Sequence, residues 1–255
     1  MIFTFQLTKK FYIAIIACVL AVISAITLSV TGAHVVFGGN TVKKLPIYSV
    51  ERTDNKIAIS FDCAWGTDYT DKLLEIMQSE DVKCTFFTVE FWAKKHPDYL
   101  TKISETGHEI GTHSATHPYM SKLDKQTVTK ELTTSVKAIE NVTGKKVKVF
   151  RPPYGDYDDN LIETATELGL YTIQWDVDSL DWKDLSADEI VKRVTSRVKS
   201  GSIVLFHNQG LHTAEALPTI IKTLKGKGYE FTTIGELIYQ DDYYMSADGR
   251  QHKNS

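Results

Sequence analysis

Short apolar runs typical of β-strands alternate with helical patterns along most of the chain, and this alternation constrains the fold most. The run at 56–62 precedes a helical pattern through 73–77, and the next apolar run, 84–89, follows directly. Strands joined through helices pair in parallel, because each crossover returns the chain to the same end of the sheet. Further strands are expected at 107–110, 147–150, 171–175, 202–206 and 229–233. About seven such strands predict an α/β fold with a closed or nearly closed parallel (β/α) barrel.

Length and composition indicate an ordinary globular protein of one domain plus a short appendage. The 255 residues are 42% apolar and 24% charged, with a net charge of −3, and no basic excess suggests nucleic acid as a partner. Of the three cysteines, Cys18 lies in an apolar run. Cys63 would end one strand and Cys84 would begin the next, at opposite ends of the sheet, so a disulfide between them is not expected.

The N-terminal segment has the length and composition of a membrane anchor. No side chain from 11 to 37 is charged, and the 20 residues 11–30 match the hydrocarbon thickness of a bilayer. Lys9 and Lys10 precede the run, as in a signal anchor, while the small residues at 31–33 also allow a cleaved signal sequence. We predict a cytoplasmic tail at 1–10, a transmembrane helix or signal sequence at 11–37, a linker at 38–51, a globular α/β domain at 52–240, and a polar, frayed tail at 241–255.

Reactive side chains follow five of the predicted strands at their carboxyl ends, which share one rim in a parallel barrel. Each has an ordinary alternative: Asp62 could cap a helix, Arg151 could form a surface ion pair, and His207 could be a core histidine. All of these alternatives together, at strand ends of one polarity, would be an improbable coincidence. In chain order the residues are Asp62, His113 with His117, Arg151 in Arg-Pro-Pro-Tyr-Gly, the stretch 175–182, and His207.

The two histidines at i and i+4 are expected on one face of a helical turn, where both imidazoles can reach one metal ion. Such a metal acts as a Lewis acid and lowers the pKa of its bound water. A nearby carboxylate can act as general base, a histidine can protonate a leaving group, and a rigid Pro-Pro turn can aim a backbone N–H at an oxyanion. This combination indicates metal-assisted hydrolysis of an acyl bond.

Five ordered motifs over about 52–238 resemble those of polysaccharide deacetylases, the NodB-homology domains of carbohydrate esterase family 4. With its single N-terminal apolar segment, the chain looks most like the PdaB-type branch of spore-forming bacteria. The motifs are Ser-Phe-Asp at 60–62, His-Ser-Ala-Thr-His at 113–117, Arg-Pro-Pro-Tyr-Gly at 151–155, Asp-Ser-Leu-Asp-Trp at 178–182 and Leu-Phe-His at 205–207.

The resemblance implies a distorted (β/α) barrel that removes N-acetyl groups from a cell-wall polysaccharide such as peptidoglycan, with a role in spore wall formation. It implies a divalent metal, zinc by its ligands, and a domain outside the cytoplasm, anchored in the cell membrane or secreted if the signal is cleaved. The implied roles are Asp62 as general base, His113 and His117 as metal ligands, Arg151 as partner of Asp62, Tyr154 as backbone oxyanion donor, His207 as general acid tuned by Asp181, and Trp182 and Leu205 as walls of the acetyl pocket.

Cys63 departs from the family pattern, because the family places a metal-binding aspartate there. Three alternatives stay open: the thiolate binds zinc, a metal is held without Cys63, or no functional metal is bound. The sequence therefore supports two hypotheses, an active metal-dependent deacetylase and a catalytically weak glycan-binding relative. Trp65 and Trp92 are expected near the same rim, where they would stack on sugar rings, although Trp65 could equally pack in the core.

Overall fold

The computed structural model describes residues 43–254 of the chain. The predicted transmembrane or signal segment at 11–37 lies outside these residues and stays a prediction. Within 43–254, no helix has both the length and the apolar character needed to cross a bilayer.

The strands are β1 (Ser49–Val50), β2 (Lys56–Cys63), β3 (Thr85–Thr88), β4 (Glu109–Thr112), β5 (Val149–Phe150), β6 (Tyr171–Thr172), β7 (Val177–Asp178), β8 (Ile203–His207), β9 (Glu230–Phe231), β10 (Tyr243–Met245) and β11 (Arg250–Lys253). Seven parallel strands form a curled sheet in the spatial order β6-β5-β4-β3-β2-β8-β7, and β9 pairs with the start of β2. This confirms the predicted α/β fold with about seven parallel strands. Within 43–254, β6 and β7 do not pair with each other, so the barrel is incompletely closed.

Helices connect the strands, and their ends follow capping chemistry. Asp124 caps the longest helix by accepting a hydrogen bond from the Thr127 N–H at 2.7 Å, and Gly144 ends that helix with a left-handed φ of 65°. The helices are α1 (Thr70–Ser79), α2 (Glu90–Lys95), α3 (Pro97–Glu105), α4 (Lys125–Thr143), α5 (Asp159–Glu167), α6 (Ala187–Thr195), α7 (Thr213–Gly226) and α8 (Ile234–Leu237).

Strand β2 lies at the centre of the sheet, and its side chains alternate between two apolar layers. Phe61 belongs to the larger layer, beneath the helices, where its ring stacks on Phe86 and Phe206 with centres 5.1 and 5.7 Å apart. Ala58 belongs to the smaller layer inside the curled sheet, together with Phe87. The side chain of Asp62 lies on the same face of β2 as that of Ala58, at the end of the strand that reaches the rim.

The segments on both sides of the predicted domain at 52–240 are more ordered than the sequence suggested. Ile47, assigned to the linker, is buried and bridges to Ile173 beside β6. The expectation of a frayed tail is wrong, because β10 and β11 form a hairpin and β11 also pairs in parallel with β1. The fully buried amide of Gln251 holds this hairpin, since it donates to the Tyr239 carbonyl at 2.6 Å and accepts from the Tyr239 N–H at 2.8 Å.

Candidate active site

A cavity of about 680 Å³ opens at the carboxyl ends of the parallel strands. It lies at the predicted rim, because parallel strands bring the residues that follow them to the same end of the sheet. Side chains from five separate motifs therefore meet in one pocket. The predicted site residues that line it are Asp62, His113, His117, Tyr154, Asp181, Trp182, Leu205 and His207.

Asp62 is a buried carboxylate in the pocket wall, paired with Arg151. Nη1 of Arg151 donates to Oδ1 of Asp62 at 2.8 Å, and the buried guanidinium lies 4.2 Å from the centre of the Phe87 ring. Burial by itself raises the pKa of Asp62, but the Arg151 charge, helped by His113 and His207, outweighs burial and lowers the pKa below the ordinary 3.8. The carboxylate is therefore ionised at neutral pH, and its Oδ2 is left to accept a proton.

His113 and His117 lie side by side, with ring centres 4.9 Å apart. The predicted helical turn is wrong: β4 ends at Thr112, and Ser114 and His117 have left-handed φ values of 70° and 60°. Nδ1 of His113 donates to the Arg151 carbonyl at 2.7 Å, because a carbonyl oxygen can only accept, and this leaves the Nε2 lone pair free. Burial lowers the pKa of His113. Burial, together with repulsion from His113 when that ring is protonated, lowers the pKa of His117 to about 4. Both rings are therefore neutral at pH 7.

Cys63, the third predicted ligand, is on the opposite side of β2 from Asp62. Its side chain packs with Phe61 in the layer beneath the helices and does not line the cavity. The thiol is completely buried, and burial, with the charges of Asp62 and Cys84, raises its pKa well above the ordinary value. A cysteine must lose its proton to bind zinc, so this placement agrees with the alternative in which Cys63 is a small core residue.

A catalytic zinc site uses three protein ligands. Two imidazoles converge here, and Nδ1 of His117 is buried without a hydrogen-bond partner within 43–254. Across the same described range, however, no group of three or more His, Cys, Asp or Glu side chains is arranged to hold a metal ion. The nearby carboxylate of Asp62, with Oδ2 3.6 Å from Nε2 of His113, is already bound to Arg151. The residues present therefore do not complete the zinc site that the resemblance implies.

His207 ends β8 and is held by the fully buried carboxylate of Asp181. Nδ1 of His207 lies 2.8 Å from Oδ1 of Asp181, whose Oδ2 accepts from the His207 backbone N–H at 2.9 Å and from the Thr213 hydroxyl at 2.6 Å. Burial lowers the pKa of His207, but the hydrogen bond and the charge of Asp181 outweigh burial and raise the pKa above the ordinary 6.5. Because Nδ1 donates to Asp181, the Nε2 proton is the one that a bound substrate can receive.

Asp181→Asn is expected to lower the pKa of His207, because the variant loses the charge that raises it and keeps the burial that lowers it. In the natural protein the folded-state pKa of His207 lies above its unfolded value. The His207–Asp181 pair therefore stabilises the fold below about pH 6.5, and this stabilisation is lost as the pH rises through the folded-state pKa. An NMR titration of the His207 ring measures the shift. Thr213→Val, which keeps the carboxylate, is the matched control; an unchanged pKa in Asp181→Asn would contradict the assignment.

The remaining predicted site residues form the walls of the pocket. Tyr154 lies in the tight turn Pro153–Gly155 with a left-handed φ of 59°, and its side chain is exposed at the rim. Leu205 is buried and Trp182 is exposed, and both side chains line the cavity. Tyr154, Leu205 and Trp182 thus line one cavity, and their role in holding an acetyl group stays a prediction.

The two tryptophans expected at the rim differ in the structure. Trp65 is exposed and lines the cavity. The expectation for Trp92 is wrong: its ring is buried under the loop after β2, and its Nε1 donates to the Gly66 carbonyl at 2.7 Å. Because α2 places Trp92 toward the core, the neighbouring Phe91 is the partly exposed aromatic residue of that helix.

Sequence reasoning missed residues that shape the pocket next to the motifs. Asn208 follows His207 directly, and its Nδ2 donates to the carbonyls of Gly66 at 3.0 Å and Trp65 at 3.3 Å, which anchors the loop after β2. Gln209 also lines the cavity. The signal that could have identified both is their position after a strand that ends in a reactive histidine.

Comparisons with known proteins agree with this geometry. A family model described as polysaccharide deacetylase matches residues 49–173. The uncharacterised Bacillus subtilis protein YlxY is 36% identical over 76% of this chain and 60% of its own length. Peptidoglycan-N-acetylglucosamine deacetylase PgdA of Listeria monocytogenes is 34% identical over 82% of this chain and 46% of its length. A Bacillus cereus peptidoglycan-N-acetylglucosamine deacetylase is 33% identical over 75% of this chain and 92% of its length. The chain thus spans 46% to 60% of the length of the first two relatives.

Solved structures of similar sequence include a protein described as a pseudoenzyme. Wild-type BA3943 of Bacillus anthracis, described as a CE4 family pseudoenzyme, matches with a TM-score of 0.74 and 33% identity over 82% of this chain and 73% of its own. A BA3943 mutant described as having restored enzymatic activity matches with a TM-score of 0.74 and 36% identity, over 76% of this chain and 71% of its own.

Proposed function

Because this chain belongs to the polysaccharide deacetylase family, CE4, we propose that it hydrolyses N-acetyl groups of amino sugars in peptidoglycan or a related cell-wall polysaccharide. The observation that carries the proposal is a single pocket with an ionised Asp62 and a His207 of raised pKa, each paired with its own buried partner. Hydrolysis of an amide needs both groups, a base for the water and an acid for the amine. The peptidoglycan deacetylases among the relatives support this polymer as the substrate class.

The proposed reaction begins with Asp62, whose Oδ2 accepts a proton from a water molecule. The water oxygen then attacks the carbonyl carbon of the N-acetyl group, and the backbone N–H of Tyr154 donates to the oxygen that becomes negative. His207 gives its Nε2 proton to the sugar nitrogen, the C–N bond breaks, and acetate and an amine are released. Arg151 keeps Asp62 ionised beforehand, and Asp181 orients the His207 ring.

Deacetylases of this family are generally metal-dependent. A metal held by His113 and His117 would polarise the substrate carbonyl and lower the pKa of water, and imidazole ligands suit zinc. His113 and His117 offer two neutral imidazoles, but the described residues supply no third ligand. We therefore propose that the affinity of this chain for zinc is lower than that of a site with three protein ligands.

The placement of Cys63 favours a second candidate function, glycan binding with little turnover. The thiol packs in the core, on the side of β2 away from the pocket, where it cannot replace the aspartate expected at this position. The similarity to BA3943, described as a pseudoenzyme, supports the same candidate. The two candidates share a glycan site and differ in whether the pocket hydrolyses what it binds.

Cys63→Asp separates the two candidates. We expect the variant to bind more zinc and to release acetate faster than the natural protein. An ionised carboxylate is too costly to bury in the apolar layer that holds the thiol, so we expect it to turn toward the pocket at the end of β2 and supply the missing ligand there. The measurements are bound metal by elemental analysis and acetate released from an N-acetylated glycan, for both purified proteins. Cys63→Ser is the matched control, since it changes the thiol but adds no carboxylate.

Acetate release by the natural protein supports the deacetylase, whatever its zinc content. Metal binding and release that occur only in Cys63→Asp support the glycan-binding relative. Deacetylation as the function of this pocket is refuted if Cys63→Asp is folded and binds one equivalent of zinc but releases no acetate.

We also propose that the catalytic domain acts outside the cytoplasm, tethered by the apolar run at 11–30, and that it contributes to spore wall formation. The cell-wall substrate of the relatives and the charge-free segment support this location. Without protease, the domain should be found in the membrane fraction, and protease added to intact protoplasts should degrade it. A domain that is protected until lysis would contradict this location.

A further inference from the structure

The loop that carries His113 and His117 has a strained backbone. His113 follows directly on β4, and the rest of the loop runs from Ser114 to His117. Both Ser114 and His117 have left-handed φ values, 70° and 60°, which residues other than glycine rarely adopt because their Cβ crowds the backbone. The direction of the His117 ring depends on this conformation, since φ sets the direction in which Cβ leaves the backbone. The loop therefore needs contacts from outside to hold both rings side by side.

Glu131 of α4 contacts the middle of this loop with both of its carboxylate oxygens. Oε2 accepts from the Ala115 N–H at 2.9 Å and from the Thr116 N–H at 2.8 Å, and Oε1 accepts from the Thr116 hydroxyl at 2.8 Å. Across 43–254, no backbone carbonyl accepts from either of these two N–H groups. Successive N–H groups in a turn form a concave site for an anion. Here the anion is a carboxylate of the chain itself, and it spans the two residues between the left-handed positions.

The two ends of the loop are fixed by contacts that do not involve Glu131. The Ser114 carbonyl accepts from the Glu90 N–H at 3.1 Å, which ties the loop to α2. Oγ of Ser114 accepts from the His117 N–H at 3.0 Å, which closes the turn. Glu131 thus adds the support of the middle to a loop that is already fixed at its ends.

Helix α4 gives the carboxylate a rigid support. The buried side chains of Val128 and Leu132 anchor the helix in the larger apolar layer. One turn after Glu131, the buried hydroxyl of Ser135 lies 2.6 Å from that of Thr112 at the end of β4. Residues four apart lie on one face of a helix, so the same face of α4 holds the end of β4 and the loop that follows it. A side chain on an anchored helix positions its partner more precisely than a side chain on a loop does.

We propose that Glu131 is a positioning residue of the pocket, whose carboxylate holds the loop so that the rings of His113 and His117 face the same point. The Glu131 side chain does not line the cavity, so it acts through the loop and not on a substrate. Two neutral imidazoles can act on one bound group only while they stay side by side. This inference rests on the proposed function only for what the pocket does, and not for the placement of the rings.

The test compares the full chain with its Glu131→Ala variant by NMR. Alanine has the highest helix propensity, so α4 should be kept. We expect the nuclear Overhauser contact between the ring protons of His113 and His117 to be lost. The amide protons of Ala115 and Thr116 should exchange with solvent at least about tenfold faster, because hydrogen bonds to a charged group are among the stronger ones. Exchange in β8 should stay unchanged, and Glu131→Met, which keeps the side-chain volume, should give the same result.

Two further variants separate the loss of the acceptor from other effects of substitution. Glu131→Gln keeps an oxygen that can accept from both N–H groups, and its amide can donate to the Thr116 hydroxyl. It should therefore keep the ring contact and accelerate exchange less than Glu131→Ala does. Glu140→Ala is the matched control, because Glu140 lies on the same helix and also accepts from a backbone N–H, that of Val147 at 3.1 Å, outside the residues that line the cavity. It should leave the rings and the loop amides as they are in the natural protein.

The proposal is overturned if the ring contact survives in Glu131→Ala, or if Glu131→Gln loses it as fully. Loss of the whole fold, or faster exchange throughout the domain, also overturns it, because either result would assign Glu131 a general structural role. Acetate release is measured separately on the same samples. A ring contact that needs Glu131, in a protein that releases no acetate, supports the inference and counts against hydrolysis. Acetate release with a ring contact that does not need Glu131 does the reverse.

Discussion

His207→Ala is expected to reduce the turnover of an N-acetylated glycan by at least about a hundredfold, in line with the loss of a general acid. The amine leaves poorly without a proton, and His207 is the pocket residue whose pKa is raised toward that task. The fold should be kept, because Asp181 still accepts from the backbone N–H of residue 207 and from the Thr213 hydroxyl. Acetate release, with glycan affinity in parallel, measures the effect.

His212→Ala is the matched control for this prediction. His212 lies a few residues further along the chain and contacts Glu215 at 3.2 Å, outside the residues that line the cavity. Its replacement should leave both turnover and affinity close to those of the natural protein. Unchanged turnover in His207→Ala would remove His207 from the mechanism, whereas a matching loss of glycan affinity would indicate a binding role.

Arg151→Met is expected to lower the free energy of unfolding by about 3–5 kcal/mol, the usual cost of leaving a buried charge without its partner. Asp62 and Arg151 are both buried, and the guanidinium also donates to the Gln174 carbonyl at 3.2 Å. Methionine fills similar volume against Phe87 but supplies no charge. Denaturant unfolding at neutral pH measures the loss.

The pH dependence of this loss has a definite sign. The natural Asp62 has a lowered folded-state pKa, so the ion pair stabilises the fold above the unfolded pKa of about 3.9 and loses this effect as pH falls through the folded pKa. The destabilisation in Arg151→Met should therefore shrink in acid, where Asp62 becomes protonated and its burial costs less.

Lys125→Met is the matched control, because the Lys125–Glu167 pair has a similar N–O distance of 2.7 Å but is exposed. Its loss should change stability by less than about 1 kcal/mol. Adding Asp62→Asn to Arg151→Met should recover part of the stability, since no buried charge is then left unpaired. Equal effects for Arg151→Met and Lys125→Met would show that the buried pair has no special role.

Parts of the site could be predicted because they depend on strand direction alone. Asp62, Arg151 and His207 end or follow parallel strands, and the carboxyl ends of parallel strands meet at one rim whatever the details of packing. The pairing of His207 with Asp181 and of Asp62 with Arg151 was implied by the motifs and is present in the structure. Both pairs join residues far apart in sequence that the strand order brings together.

Other parts depended on side-chain direction, which local patterns describe poorly at the ends of strands. The i,i+4 spacing of His113 and His117 predicted a helical turn, whereas two left-handed residues bring the rings together without one. Trp92 turned into the core, where its indole N–H satisfies a carbonyl in the loop after β2.

The sequence by itself determined the parallel α/β architecture and the order of the motifs, because apolar periodicity and strand polarity are local properties. The roles of Asp62 as base and His207 as acid were implied by the resemblance and stay predictions, although each side chain lies beside the partner that the motifs named. Only the tertiary structure decided that Cys63 lies in the layer beneath the helices, that the C-terminal residues form a hairpin against β1, and that Trp92 is buried while Trp65 is exposed at the pocket. These depend on which face of a strand meets which neighbour, and packing between distant segments sets that relation.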